Sequence, residues 1–208
     1  MRALWQATTA AALFVLAGCG NGADPAAPPA AVAPVAEVWT LDPADSRLSF
    51  ASVKAGNVGE GHRFSQMSGQ VGPDGAFSLT IPLDSVETRI DVRNERIRTM
   101  LFETGTFPLA TLKGAIDLAQ FAALAPGQRI ETTLSGTLDL HGVQAPVEAA
   151  VVVTRLTPNR VAVDTVEPVL IEAGAYKLEG GLEQLREIAK LPAISPVVPV
   201  HADLVFTR

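Results

Sequence analysis

The chain has 208 residues, with 16 Lys and Arg against 22 Asp and Glu for a formal net charge of −6, and it is 48% hydrophobic but only 5% aromatic. That length is ample to bury the core of one large domain, and the acidic balance, without an isolated basic run, excludes the electrostatic footprint of a nucleic-acid binder. Its single cysteine, Cys19, excludes an intrachain disulfide.

At the start, Arg2 is followed by small residues and the run Ala11 to Leu16. This apolar core of about ten residues fits a signal h-region and is too short for the roughly 20 residues that span a bilayer. Leu16-Ala17-Gly18-Cys19 closes the run and resembles a bacterial lipobox, in which the thiol receives diacylglycerol and the chain is cut before the cysteine. Residues 1–18 are thus expected to be a lipoprotein signal peptide and Cys19 an acylated membrane anchor; an ordinary signal peptide with an incidental cysteine is the competing reading. Two or three acyl chains anchor stably where one is marginal. Acylation would also consume the only thiol, leaving no thiolate ligand or cysteine nucleophile.

Gly20 to Ala36 is Ala and Pro with one charge, too poor in large apolar residues to pack. With Cys19 it reads as a tether over residues 19–36, extended at about 3.1 Å per residue and reaching as far as roughly 50 Å. Gly20, not Asp, follows the cysteine, which by the enterobacterial sorting rule favours the outer membrane, with the domain on the periplasmic side.

Residues 37–208 read mostly as strands. Leu48 and Phe50 alternate with polar neighbours, as do Phe77, Leu79 and Ile81. The clearest run is Ile130 to His141, with Ile130, Thr132, Leu134, Gly136, Leu138 and Leu140 on one face. His141 to Pro146 is expected to turn the chain into a partner strand from Val147 to Thr154. Further strands are expected at Trp39 to Leu41, Phe64 to Val71, Leu109 to Asp117, Arg160 to Thr165, Val169 to Glu172 and Val198 to Phe206. Some eight to ten strands separated by turn signals point to a barrel or sandwich. Two segments carry helical spacing instead: Asp91 to Phe102, and Leu182 to Leu191 ahead of Pro192. Both are expected to cap or flank the barrel.

Four motifs then occur in order: Trp39-x-Leu41-Asp42 with Ser46-x-Leu48-x-Phe50; Gly61-His62-x-Phe64 with Met67-Ser68-Gly69; Thr88 through Arg93-Asn94-Glu95-Arg96 to Phe107-Pro108-Leu109; and Gly136 to Val143 with Pro146-Val147. Their order over nearly the whole domain resembles the YceI-like family of periplasmic lipid-binding proteins. The resemblance implies an all-β, antiparallel, lipocalin-like eight-stranded barrel with one or two short flanking helices. It further implies non-enzymatic binding or carriage of a polyisoprenoid or other apolar-chain lipid in the lumen, with no cofactor. An eight-stranded barrel either fills itself or holds one small ligand, and strands relying on Ala, Val and Leu leave room. The stretch from Val169 to Ser195 departs from commoner members and looks like an added helix near one mouth.

The lumen candidates are Phe50, Phe64, Phe77, Leu79, Ile81, Phe102, Phe107, Leu134 and Leu138; core packing is the competing role of each. Ser135, Asp139 and His141 carry the residue types of a catalytic triad, but along one strand Ser135 and His141 are roughly 20 Å apart; His141 is read as fixing the turn. His62, His141 and His201 show no ligand spacing, and His201 is read as solvent-facing. Arg89, Arg93 and Arg96 fall at helical intervals, and the interleaved Glu87, Asp91 and Glu95 make an ion-pair network that pins the helix the favoured reading over an anion site. Two other functions stay open: an envelope interaction module with a filled barrel, and a quinone-binding partner of a membrane cytochrome.

Overall fold

The computed structural model describes residues 37–208; the readings of the signal peptide, Cys19 and the tether lie outside the described residues. Alternation decides which face of each strand turns inward, and the inward faces close on themselves. β1 (Trp39–Leu41) and β2 (Arg47–Lys54) lie end to end as one stave, followed by β3 (Val58–Phe64) with β4 (Ser68–Val71), and by β5 (Ala76–Pro82) with β6 (Val86–Glu87). β7 (Leu109–Ala115), β8 (Arg129–Leu140) and β9 (Val143–Thr157) are continuous; β10 (Arg160–Thr165) and β11 (Val169–Glu172) share a stave, and β12 (Val197–Thr207) is the last. β12 pairs back onto the first stave through Thr207 opposite Thr40 and Val200 opposite Phe50, closing an antiparallel eight-stave barrel.

The β8–β9 hairpin shows how local chemistry sets register. The turn is His141-Gly142 alone, with φ of 53° and 72°, so β9 starts at Val143, four residues before the expected start. Two successive left-handed residues match the twist of a two-residue hairpin. Deeper in the wall Gly114 pairs with Gly136, and a Cβ on Gly114 would come within 2.5 Å of the Phe77 ring. The paired glycines make the space in which that ring lies.

The segment Phe64 to Val71 is not one strand. β3 begins at Val58, and the chain breaks at residues 65–67 before β4. Gly59, Gly61 and the charged residues of β3 hide its strand character; pairing with β2 along its whole length supplies it.

Two helical pieces cover one end of the barrel. α1 (Asp91–Arg96) runs into a π turn (Ile97–Leu101), in which Phe102 N donates to Ile97 O at 2.9 Å. α2 (Glu179–Ile188) starts three residues before the expected segment and packs on that turn, with Gly181 against the backbone of Met100 and Leu101. Buried Leu83, Val86, Ile97, Phe102, Tyr176 and Leu178 fill the space beneath. The opposite end is plugged by buried Phe121 packed on Val151 and Val153. Trp39 near that end is contacted by Arg155 and Arg208, whose guanidinium carbons are 5.2 and 4.6 Å from the indole ring centre.

Among the described residues no helix is long and apolar enough to cross a membrane.

Candidate functional site

The barrel wall surrounds a cavity of about 260 Å³, well over ten times the roughly 10–15 Å³ that one water needs. Every stave contributes: Leu48 and Phe50 from β2, Phe64 from β3, Leu79 from β5, Leu112 from β7, Leu138 from β8, Val151 from β9, Val163 from β10 and Val200 from β12. Leu101, Phe102, Leu178 and Leu182 form its roof, so the C-terminal helix does close the mouth it was expected to flank. Among the described residues Thr165 is the only lining residue with a polar side chain, and its Oγ1 is already engaged by His201 Nδ1 at 2.8 Å and by the Ala202 N–H at 3.2 Å. The lumen therefore offers hydrocarbon contact on all sides and no free polar partner.

Eight of the nine lumen candidates lie on this lining: Phe50, Phe64, Phe77, Leu79, Ile81, Phe102, Leu134 and Leu138. Phe107 does not. It stands two residues before exposed Leu109, in phase with the outward face of β7, and its ring packs on His141 with centroids 4.3 Å apart. Period two places a residue only when its strand is known, and Phe107 precedes the strand. Small residues missed by the sequence reading, including Ala110, Ala149 and Ala202, line the cavity as well. Their signal was present: they hold inward phase on their strands and leave the volume open.

The polar candidates are not on this lining, although His62 shares the inward face of β3 with Phe64. His62 is 7% exposed; its Nε2 is 2.8 Å from Ser52 Oγ, while its Nδ1 is buried without a partner. Burial, then the positive charge of Arg93, lowers its pKa below the ordinary histidine value. Arg93 spans from α1 to Glu60 of β3 at 2.6 Å and to the Thr88 carbonyl at 2.7 Å, and Lys54 meets the same carboxylate at 2.9 Å. The lysine hydrogen bond is the main cause that lowers the Glu60 pKa.

The helix is thus pinned to the barrel, but not by the expected set. Arg89 precedes the helix at φ 64°, so no three-arginine face forms. Arg98 supplies the second tie, donating to the Asp84 carbonyl at 2.6 Å. Buried Asn94 adds a third by accepting the Thr88 N–H at 2.8 Å and the Thr88 hydroxyl.

The remaining candidates are dispersed. Ser135 donates to Glu148, Asp139 accepts from Gln144, and His141 Nε2 meets Glu103 at 2.9 Å, tying the hairpin turn to the capped end. His201 is half-exposed on the outer wall beside Asp203 at 3.1 Å. Among the described residues no group of three or more His, Cys, Asp or Glu converges.

The family model described as "YceI-like domain" matches residues 39–206. The chain belongs to the YceI-like family. A solved polyisoprenoid binding domain from Saccharophagus degradans, implicated in plant cell wall breakdown, is 44% identical; the match covers 81% of this chain and 97% of that one with a TM-score of 0.79. BcnA from Burkholderia cenocepacia is 22% identical over 79% of this chain and 98% of its own, with a TM-score of 0.61, and shares the YceI-like fold. No curated protein matches the sequence. The open lumen distinguishes this barrel from the filled barrel of the interaction-module reading.

Proposed function

We propose that this YceI-like protein is a non-enzymatic binding or carrier protein that holds the hydrocarbon chain of a polyisoprenoid or similar lipid in its lumen, within the bacterial envelope. The observation that carries the reading is the barrel cavity, whose lining among the described residues has no charged side chain and only one polar one, already hydrogen-bonded within the wall. Burying ten CH₂ equivalents contributes about 8 kcal/mol before ordering costs, enough for useful affinity. The 44% identity to a polyisoprenoid binding domain supports the same ligand class.

An acylated Cys19 and a tether over residues 19–36 would hold the domain beside the membrane that supplies the ligand, on the periplasmic side and preferentially at the outer membrane. Purification from the source organism, organic extraction and mass spectrometry test the ligand. A long-chain isoprenoid in the extract is expected; extracts repeatedly free of lipid would contradict the reading. Metabolic labelling with a fatty-acid analogue tests the anchor, with label expected on the unsubstituted chain and absent from Cys19→Ser.

A further inference from the structure

The barrel wall contains a break between β9 and β11. β9 pairs with β8 along its length, from Val143 opposite Leu140 to Thr154 opposite Arg129. On its other edge it pairs with β10 only from Val151 onward, and the last link is the Val166 N–H to the Ala150 carbonyl at 2.8 Å. Above that link the stave continues as β11, which pairs with β12 alone. No strand pairing joins the stretch from Val143 to Ala149 to its neighbour across the seam.

An outer cleft follows this seam, bounded by residues 145–148 on one side, residues 169–172 on the other, and Ala175 and Tyr176 above. Val147, Val169 and Ile171 line both the cleft and the lumen. These three aliphatic side chains form the common wall of the two spaces, whereas buried Ile97, Phe102 and Leu178 lie under the helical roof and buried Phe121 fills the far end. Outside the seam Leu170 is 63% exposed and Val166 47% exposed, an apolar approach to the opening.

An unpaired strand edge also invites strand addition by another chain, but this edge is blunted. Ala150 directs its carbonyl toward the seam side, and backbone groups alternate along an extended strand, so Pro146 and Glu148 turn theirs to the same side. Pro146 has no N–H to donate, and Glu148 adds a charge. A flexible hydrocarbon chain needs no backbone partner and meets aliphatic Val147, Val169 and Ile171 within a cleft whose exposed positions carry Glu148 and Glu172.

We infer that the seam between β9 and β11 is a lateral portal through which the lipid's chain enters and leaves the lumen, with Val147, Val169 and Ile171 as its gate. This rests on the lumen being the lipid site.

The test staples the seam from outside, in the full-length chain carrying Cys19→Ser so that only introduced thiols react. Glu148→Cys with Leu170→Cys is bridged by a short thiol-specific cross-linker. A second pair, Gly180→Cys with Met100→Cys, staples the helical roof. Each protein, stapled and unstapled, is stripped of lipid, and uptake of decaprenol from phosphatidylcholine vesicles is timed by mass spectrometry of the re-isolated protein. The seam staple is expected to slow uptake at least about tenfold relative to the same unstapled variant, and the roof staple to leave the rate unchanged. Equal rates with and without the seam staple, or slowing by the roof staple alone, would overturn the portal. If unstapled proteins, including the chain with Cys19→Ser alone, take up no decaprenol, the lumen reading fails first and the portal with it.

Discussion

His62 and Phe50 are paired across β2 and β3 with ring centroids 5.2 Å apart, which buries the imidazole on the same inward-facing side as the lumen aromatics. Folding therefore holds a titratable ring away from water, with Arg93, Lys54 and Arg89 opposing a second positive charge and Glu60 favouring it.

Because the folded pKa of His62 is lowered, the unfolded chain takes up this proton first as pH falls. The contribution of His62 to stability is fully present above its unfolded value of about 6.5 and is lost as pH drops through the lower folded value. Thermal melts from about pH 8 to about pH 5 should show a falling Tm, and a shallower fall in His62→Gln. His141 and His201 are common to both proteins and cancel in the comparison. Parallel pH profiles would assign the slope to other groups.

Gly180 and Gly181 are neighbours in α2 with opposite surroundings. A Cβ on Gly181 would sit 2.7 Å from Leu101 Cα, while one on Gly180 meets nothing within 4 Å. Gly181→Ala should destabilise by roughly 1–3 kcal/mol by forcing α2 off the π turn. Gly180→Ala should instead stabilise by up to about 1 kcal/mol through helix propensity. Urea unfolding midpoints decide, and equal effects would contradict the close docking of the roof.

Asn94 and Thr88 are 3% and 2% exposed and satisfy one another. Asn94→Ala should leave the Thr88 N–H and hydroxyl without their main partner and cost about 2–4 kcal/mol in the same assay. A loss below about 0.5 kcal/mol would show that this tie does not hold α1 to the barrel.

The staves that face the lumen on one side and water on the other were readable from period two, which is why the strands at Trp39–Leu41, Arg160–Thr165 and Val169–Glu172 appear with the expected bounds. β3 was hidden because its glycines and charges carry no alternation, and only β2 beside it makes it a strand. Arg89, Arg93 and Arg96 have helical spacing, yet the helix starts at Asp91, and the partner of Arg93 is Glu60, far back in the chain. Phe107 was misplaced for lack of a strand to set its phase. The seam has no sequence signature, since it arises from which staves pair and where they stop pairing.

Native mass spectrometry of the intact protein, paired with Ala202→Phe, which fills the cavity from β12, reads out whether the lumen holds a lipid chain. After exposure to decaprenol vesicles, the unsubstituted chain should carry about one lipid per molecule, as one barrel holds one small ligand. Ala202→Phe should carry none while remaining folded by circular dichroism, despite an overpacking cost of roughly 1–3 kcal/mol. Equal lipid occupancy in the two folded proteins, or no lipid on the unsubstituted chain, would show that the lumen is not the lipid site.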